Sequence, residues 1–330
     1  MIKQLIVKLI EHQKLTFEES KELMYLIAHN EANDAQMAAV LTAYIMRNIT
    51  IEELQGFRSA LIELAIRVNL NNGNVIDLCG TGGDGKNTFN ISTLSSFVVA
   101  AAGVPVAKHG NYGVSSISGS SNVMELLGYK FSNDEAKLQN ELENTGICFM
   151  HAPLFHPALK AVGPIRRQLG VKTFFNLLGP LVNPASPQYQ LSGVFSAEVG
   201  RVYSYFLQSQ SKQFGVVFSL DGYDEVSLTA PVKYFSQNGE TLIKPTDYGF
   251  EQLNASQITG GNTAEDSAKL FLTILSGKGT KAQTEVVVAN SALAISCYKE
   301  LPLQESVALA REALESGQAF SIFNKLISKQ

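Results

Sequence analysis

The chain has 330 residues, 45% of them apolar and 17% charged, with a formal net charge of −4. That length holds two domains or one large one, and the composition is that of an ordinary globular protein. The acidic balance excludes an electrostatic case for nucleic acid or an anionic membrane surface. The longest apolar runs, such as 97–103 and 147–150, are far too short to span a bilayer.

Residues 1–70 show only helical periodicity. The opening MIKQLIVKLIEHQ is amphipathic, carries Glu11 and has no small-residue cleavage site, so it reads as a helix and not as a signal peptide. Thr16-Phe17-Glu18-Glu19 is a capping box that opens a helix to Ala28. Asp34 caps a helix to Arg47, and Thr50 precedes one ending near Asn69. The polar break NLNNGN at 69–74 is the best boundary, with a helical domain before it (1–70) and a second domain after it (71–330).

Beyond the break, strands at 75–79, 104–107, 147–150, 189–195 and 214–220 alternate with helices at 92–102, 120–127, 133–145, 157–169 and 198–210. This alternation is the signature of an α/β sheet. Ser132 and Glu135 suggest another capping box, and Gly103, Gly128, Gly146 and Gly170 close helices. Asn238-Gly239 reads as a hairpin turn. Helices at 264–275 and 282–298 follow, then a terminal one at 303–315. The three cysteines, Cys79, Cys148 and Cys297, have no metal-like spacing and point to a reducing, cytoplasmic compartment.

The densest chemistry lies in DLCGTGGDGKNTFNIST, from Asp77 to Thr93. Gly80, Gly82, Gly83 and Gly85 follow a short apolar strand and precede a helix near Ser92. Glycines let backbone N–H groups approach oxygen atoms, and a helix N-terminus favours negative charge, so the segment suits a phosphorylated ligand. A Walker loop fails because Asn87 stands where Ser or Thr belongs, and the dinucleotide fingerprint fits poorly because the helix starts late. Asp84 makes sense beside a divalent cation or a sugar hydroxyl.

Three further clusters fall after strands. Lys108-His109-Gly110-Asn111-Tyr112-Gly113-Val114-Ser115-Ser116 continues to Ser118-Gly119-Ser120-Ser121 and offers a cation and N–H donors for phosphate oxygens. Asp221-Gly222-Tyr223-Asp224-Glu225 places two carboxylates side by side, which suits Mg²⁺ held with phosphate oxygens or else a solvated loop. The stretch 149–184 carries His151, Pro153, His156, Arg166 and Arg167. Arg166 suits a carboxylate; His151 and His156 read as an acid or base, or as structural histidines.

Taken in order, GTGGD (80–84), NTFNIST (87–93), KHGN (108–111), VSSISGS (114–120), LGVKTFFNLLGPLVNP (169–184), Asp224-Glu225 and GGNTAEDSAKLFLTILSGKG resemble the anthranilate phosphoribosyltransferase family of tryptophan biosynthesis, across essentially the whole chain. The resemblance implies an α/β fold class: a small all-helical domain, with a returning segment near 166–184, plus a larger α/β domain whose mainly parallel central sheet is flanked by helices. It implies a homodimer through the helical domain, while the acidic balance and the short apolar runs argue for no nucleic-acid or membrane partner. It also implies an Mg²⁺-dependent glycosyltransferase that moves the phosphoribosyl group of phosphoribosyl pyrophosphate to the amine of anthranilate.

By the same resemblance, the donor is bound by Gly80, Gly83, Asp84, Thr88, Asn90, Ile91, Ser92, Thr93, Lys108, Gly110, Asn111, Tyr112, Gly113, Val114, Ser115, Ser116 and Ser120. Ser92, Asp224 and Glu225 hold metal and, with Lys108, stabilise the transition state. Gly80, His109, Asn111, Pro153, His156 and Arg166 surround anthranilate. The chain departs from the commonest pattern at Tyr112 and Ile117, where many relatives have Arg and Lys, and at Ser121-Asn122, where they have Ala-Asp. Two rivals remain in view. A pyrimidine nucleoside phosphorylase would lack the NLLGP segment and the Asp-Glu pair. A non-catalytic nucleic-acid-binding relative would be basic.

Overall fold

Side-chain caps set where the second, third and fourth helices start. In the computed structural model, which describes residues 1–113, 117–210 and 212–329, α1 (Ile2–Ile10) is followed by α2 (Phe17–Ala28), α3 (Asp34–Met46) and α4 (Ile51–Glu63). Thr16 and Glu19 form the expected box at α2, and Thr50 and Glu53 form one at α4. Asn33, and not Asp34, caps α3, because its Oδ1 accepts from Gln36 N at 2.9 Å. Helix α4 stops well before Asn69, where Ile66 N turns out to donate to Phe155 O at 2.9 Å.

The chain continues through β1 (Ile76–Leu78), α5 (Ile91–Ala101), β2 (Val106–Gly110), α6 (Ser120–Leu126), α7 (Glu135–Thr145), β3 (Ile147–His151), α8 (Ala152–Phe155), α9 (Leu159–Leu169) and α10 (Phe175–Leu178). It finishes with β4 (Tyr189–Gly193), α11 (Ala197–Ser209), β5 (Gln213–Ser219), β6 (Val232–Ser236), β7 (Gly239–Ile243), α12 (Ala264–Thr273), α13 (Lys281–Lys299), α14 (Leu303–Glu315) and α15 (Gln318–Ile327). Helix α15 goes beyond the sequence expectation. At α7 the cap is Asp134, whose Oδ1 accepts from Ala136 N at 2.9 Å, while Ser132 Oγ accepts from Asp134 N. Ser236 pairs with Gly239 across the β6–β7 hairpin, so Gln237 and Asn238 form the turn and Gly239 opens β7.

Two compact units result. The first comprises Met1–Val68 and Ala152–Pro184, the second Asn69–His151 and Ala185–Gln330. The returning stretch begins at Ala152, upstream of 166, because α9 as a whole packs against α2 and α3 and buries Val162 and Ile165. In the helical unit the fully buried Glu53 carboxylate accepts from Leu15 N and Thr50 N, both at 2.9 Å, and from Tyr44 Oη at 3.1 Å, and it pairs with Arg47. Burial alone would raise its pKa, but Arg47 and the backbone donors outweigh that and hold it below the ordinary glutamate value. Beside it Phe57 stacks on Phe174 and Tyr44 meets both rings at an angle, with ring centroids 4.7–5.5 Å apart.

The α/β unit is built on a seven-stranded sheet ordered β3-β2-β1-β4-β5-β6-β7. Strands β3 to β5 are parallel, while β6 and β7 add antiparallel pairs at one edge. The first three strands run outward from β1 on one side, and β4 adds on the other. The order therefore reverses at β1/β4, and the crevice beyond their carboxyl ends is where such sheets bind ligands. Helix α5 packs on α13, with Ser95 and Ser291 at the crossing; Ser95 Oγ donates to Val287 O at 3.4 Å.

Candidate active site

The glycine loop leaves β1 at this reversal point. Cys79 N donates to Leu191 O at 3.1 Å and Thr81 N to Gly193 O at 2.8 Å, so the β1–β4 pairing extends into the loop. Gly82, Gly83 and Gly85 then take φ of +64°, +78° and +74°, a region other residues enter only with strain. Helix α5 starts at Ile91, one residue before expectation, with Asn90 at its N-cap position. Asn90 Nδ2 donates to Ser118 O at 3.2 Å and so links the glycine loop to the second cluster. The loop's outer half is held by a segment far along the chain: Gly260 N donates to Asn87 O at 2.8 Å, and Thr88 bridges Thr259. Lys86 Nζ lies 4.8 Å from the Tyr223 ring centroid, in keeping with the failed Walker match.

The second cluster spans the end of β2 and the start of α6. Lys108 differs from the open phosphate clamp expected of it: it is 2% exposed, and its Nζ donates to Leu78 O and lies 3.5 Å from Ser92 Oγ. His109 is equally buried, and its N–H donates to the buried Asp77 carboxylate at 3.1 Å. Asn111 O accepts from Ser121 N at 3.2 Å and from Ser120 Oγ at 3.5 Å. Asn122 Oδ1 accepts from Gly113 N and Gly119 N, each at 2.9 Å, and so closes the loop at its base. Val114, Ser115 and Ser116 lie outside the described residues. Tyr112 Oη donates to Glu125 at 3.2 Å, and its ring meets His151 edge-on at 4.6 Å.

Asp224 and Glu225 do not stand on an exposed loop, as expected for simple metal ligands; Asp224 is buried and Glu225 half-buried. Asp224 Oδ2 accepts from Gly82 N at 2.8 Å. The approach behind it is so close that a Cβ on Gly193 would lie 1.6 Å from Asp224 O. Asn290 on α13 grips the next residue, accepting from Val226 N at 3.0 Å and donating to Val226 O at 2.9 Å. Burial pushes both carboxyl pKa values up; the Asp84 charge adds to this at Asp224, and the Asp224 charge adds to it at Glu225. Lys108 and the Ser92 N–H oppose the rise at Glu225.

Cys79, Gly80, Ser92, Glu225 and Asn290 line one small cavity. Among the described residues no three His, Cys, Asp or Glu side chains converge into a metal cage. The arrangement nevertheless fits a divalent cation of the magnesium kind, which takes one or two carboxylates and completes its shell with ligand oxygens and water. Such an ion would offset the burial and the carboxylate repulsion that together raise both carboxyl pKa values.

Pro153, His156 and Arg166 belong to the helical unit. Arg166 is half-buried, with Nη2 donating to Asn176 Oδ1 at 3.2 Å and Cζ 5.6 Å from the Phe175 ring centroid. Arg167, its neighbour, is exposed. His156 is 1% exposed, against the backbone of Val182 and Leu61. His151 lies in the other unit, its Nδ1 2.8 Å from Ser121 Oγ and its ring stacked on Phe131. The two histidines are thus packed structural residues.

Two family models cover the chain: the helical bundle domain of a glycosyl transferase family over residues 3–65, and its a/b domain over 72–320. An anthranilate phosphoribosyltransferase from Christiangramia forsetii is 54% identical over 98% of both chains. The chain belongs to the anthranilate phosphoribosyltransferase family. The crystal structure of the Thermus thermophilus member is 33% identical, covers 98% of both chains and superposes with a TM-score of 0.91. That of the Saccharomyces cerevisiae member, solved with PRPP and Mg, shares the fold at 23% identity and a TM-score of 0.90, covering 100% of this chain and 98% of that one.

For an anthranilate phosphoribosyltransferase family member, the motif residues legible in sequence are only half of the construction. Asp77, Asn122, Asn176 and Gly260-Gly261 stood in quoted stretches without a role, and Asn290 and Thr259 were not singled out, because what each side chain or backbone group bonds to is decided by the fold. The amide of Asn290 amid the apolar run VVVANSALAIS on α13 was the one available signal.

Burial pushes the His156 pKa down to about 4, although the neighbouring backbone of Val182 and Leu61 favours the charged form. An unfolded histidine titrates near 6.5, so below that pH the unfolded chain takes up a proton that the fold refuses. Stability from this group is complete above about 6.5 and is lost as pH falls to about 4, a difference of roughly 3 kcal/mol. Thermal melts of wild type and His156→Gln should therefore converge on acidification through that window. A constant gap in Tm would count against a neutral, buried His156.

Proposed function

We propose that this protein transfers the phosphoribosyl group of phosphoribosyl pyrophosphate to the amino group of anthranilate, giving N-(5-phosphoribosyl)anthranilate and pyrophosphate in tryptophan biosynthesis. The observation that carries this reading is the joining of the glycine loop to the Asp224-Glu225 loop at the β1/β4 reversal point. The bond from the anomeric carbon to pyrophosphate breaks, the bond to the amine nitrogen forms, and the amine gives up a proton. No covalent nucleophile is required.

The loops carrying Gly80, Gly83, Asp84, Thr88, Asn90 and Ser92 would hold the donor, aided by Asn111, Gly113 and Ser120. Their work is to present N–H groups already oriented toward charge that develops on the leaving group. Lys108 would act through its field, as a fixed buried cation facing Glu225. Ser92, Asp224 and Glu225 would hold Mg²⁺, and the yeast relative's complex with PRPP and Mg supports that choice. Magnesium, when bound, would offset negative charge on the pyrophosphate oxygens. For anthranilate, the α/β unit would contribute Gly80, His109 and Asn111 and the helical unit Pro153, His156 and Arg166; Arg166 would pair with its carboxylate, and the buried histidines would act through packing alone.

Among the described residues no helix is long and apolar enough to cross a membrane, and all three cysteines are free thiols, which supports a cytoplasmic setting. A homodimer through the helical unit is supported by exposed apolar residues there: Met1, Val7, Ile10, Ile45 and Met46. Light scattering on the purified protein should return twice the mass of 35.8 kDa, and Ile10→Lys with Met46→Lys should shift it to the single-chain value. A monomeric wild type would rule the pairing out.

Anthranilate fluorescence should disappear only when the donor and a divalent metal are both present. Asp224→Asn with Glu225→Gln should raise the Mg²⁺ concentration needed without unfolding the chain. Turnover of uridine and phosphate instead, or an unchanged Mg²⁺ titration in the double variant, would refute the respective claim.

Arg166→Ala removes a charge-assisted fork of the kind worth about 1.5–3 kcal/mol, roughly tenfold to a hundredfold in affinity. The anthranilate KM should rise by that factor with the donor KM nearly unchanged. Arg167→Ala is the exposed control. Equal small effects from both variants would remove Arg166 from the acceptor site.

A further inference from the structure

The Arg166 guanidinium sits in an uneven environment. Among the described residues no carboxylate pairs with it, and burial, with no opposing charge, draws its pKa below the ordinary arginine value. Its one hydrogen-bond partner among the described residues is neutral: Asn176 Oδ1, 3.2 Å from Nη2. The same oxygen accepts from Thr173 N, also at 3.2 Å. Both partners are donors, so the amide must present its oxygen to Arg166, and the NH₂ cannot turn in without losing two bonds. The Phe175 ring adds a cation–π contact at 5.6 Å, again with no formal charge.

We propose that Asn176 is a positioning residue that sets specificity for an acidic acceptor: it fixes the direction of the Arg166 fork without neutralising it. A carboxylate in its place would satisfy the same two donors and also quench the guanidinium, leaving nothing for the substrate's carboxylate to claim. A smaller side chain would free the fork to reorient, and binding would then have to order it. This rests on the reading of Arg166 as the anthranilate ligand.

Asn176→Asp provides the sharpest test, because stability and affinity should move in opposite senses. The internal ion pair should keep Tm at or above the wild-type value, while the anthranilate KM rises about tenfold or more, the size expected for losing a charge-assisted contact. The donor KM should stay within about twofold. The preference for anthranilate over 2-aminobenzamide, which lacks the carboxylate, should shrink toward parity. A residue that merely supports the fold would lower Tm and leave that preference alone.

An Asn176→Asp variant with unchanged anthranilate KM and unchanged preference would overturn the inference. If that variant does not fold, Asn176→Ala decides: a raised anthranilate KM with kcat and donor KM little changed supports the role, and an unchanged anthranilate KM overturns it. The two layers fail separately. An anthranilate KM indifferent to Arg166→Ala defeats the Arg166 reading itself. A clear Arg166→Ala defect beside an indifferent Asn176→Asp defeats only the role of Asn176.

Discussion

A single hydrogen bond, from Gly82 N to the Asp224 carboxylate, joins two loops 142 residues apart and makes one site of them. Its geometry constrains both neighbours. Gly82 must be left-handed to aim its N–H, and Gly193 must lack a side chain because the Asp224 carbonyl occupies the space a Cβ would need. Asn290 then holds Val226, two residues on, from behind, through both sides of its amide. The loop is therefore positioned before any ligand arrives, which is the condition under which dipoles and charges stabilise a transition state without first having to reorganise.

The charges of the α/β unit follow the same logic. Lys108 is buried and bonded to a carbonyl at the end of β1, so it serves as a fixed positive centre and not as a mobile clamp. Glu225 feels that cation and the first turn of α5, while Asp224 and Asp84 push the other way. Burial is the largest push in that second direction, so both carboxyl groups hold their protons more tightly than free ones do. A divalent cation with its phosphate ligands is the partner that would convert this tension into binding.

The helical unit manages charge differently. Glu53 is buried with Arg47 and backbone donors already around it, a closed network whose role is to hold α4 against the chain entering α2. Among the described residues Arg166 is held by neutral groups alone. The contrast separates a structural ion pair, whose partners satisfy one another, from a charge kept available. Sequence proximity does not distinguish the two cases, since Arg166 and Arg167 are adjacent and only the first is enclosed.

Local pattern sufficed for much of this. The caps at Thr16 and Thr50, the alternation of strands and helices after residue 75, and the glycine density after β1 all depend on neighbours within a few residues. The ordered motifs implied the family, and that carried the fold class. What folding alone decided was which polar groups end up enclosed and by what. Asp77 meets His109, Asn290 meets Val226, and Thr259 to Gly261 meet the glycine loop across most of the chain. The carboxylates expected in solvent were drawn inward for the same reason. Burial and pairing depend on contacts between segments remote in sequence, and a residue's letter records what it can bond to but not what the fold will bring within reach.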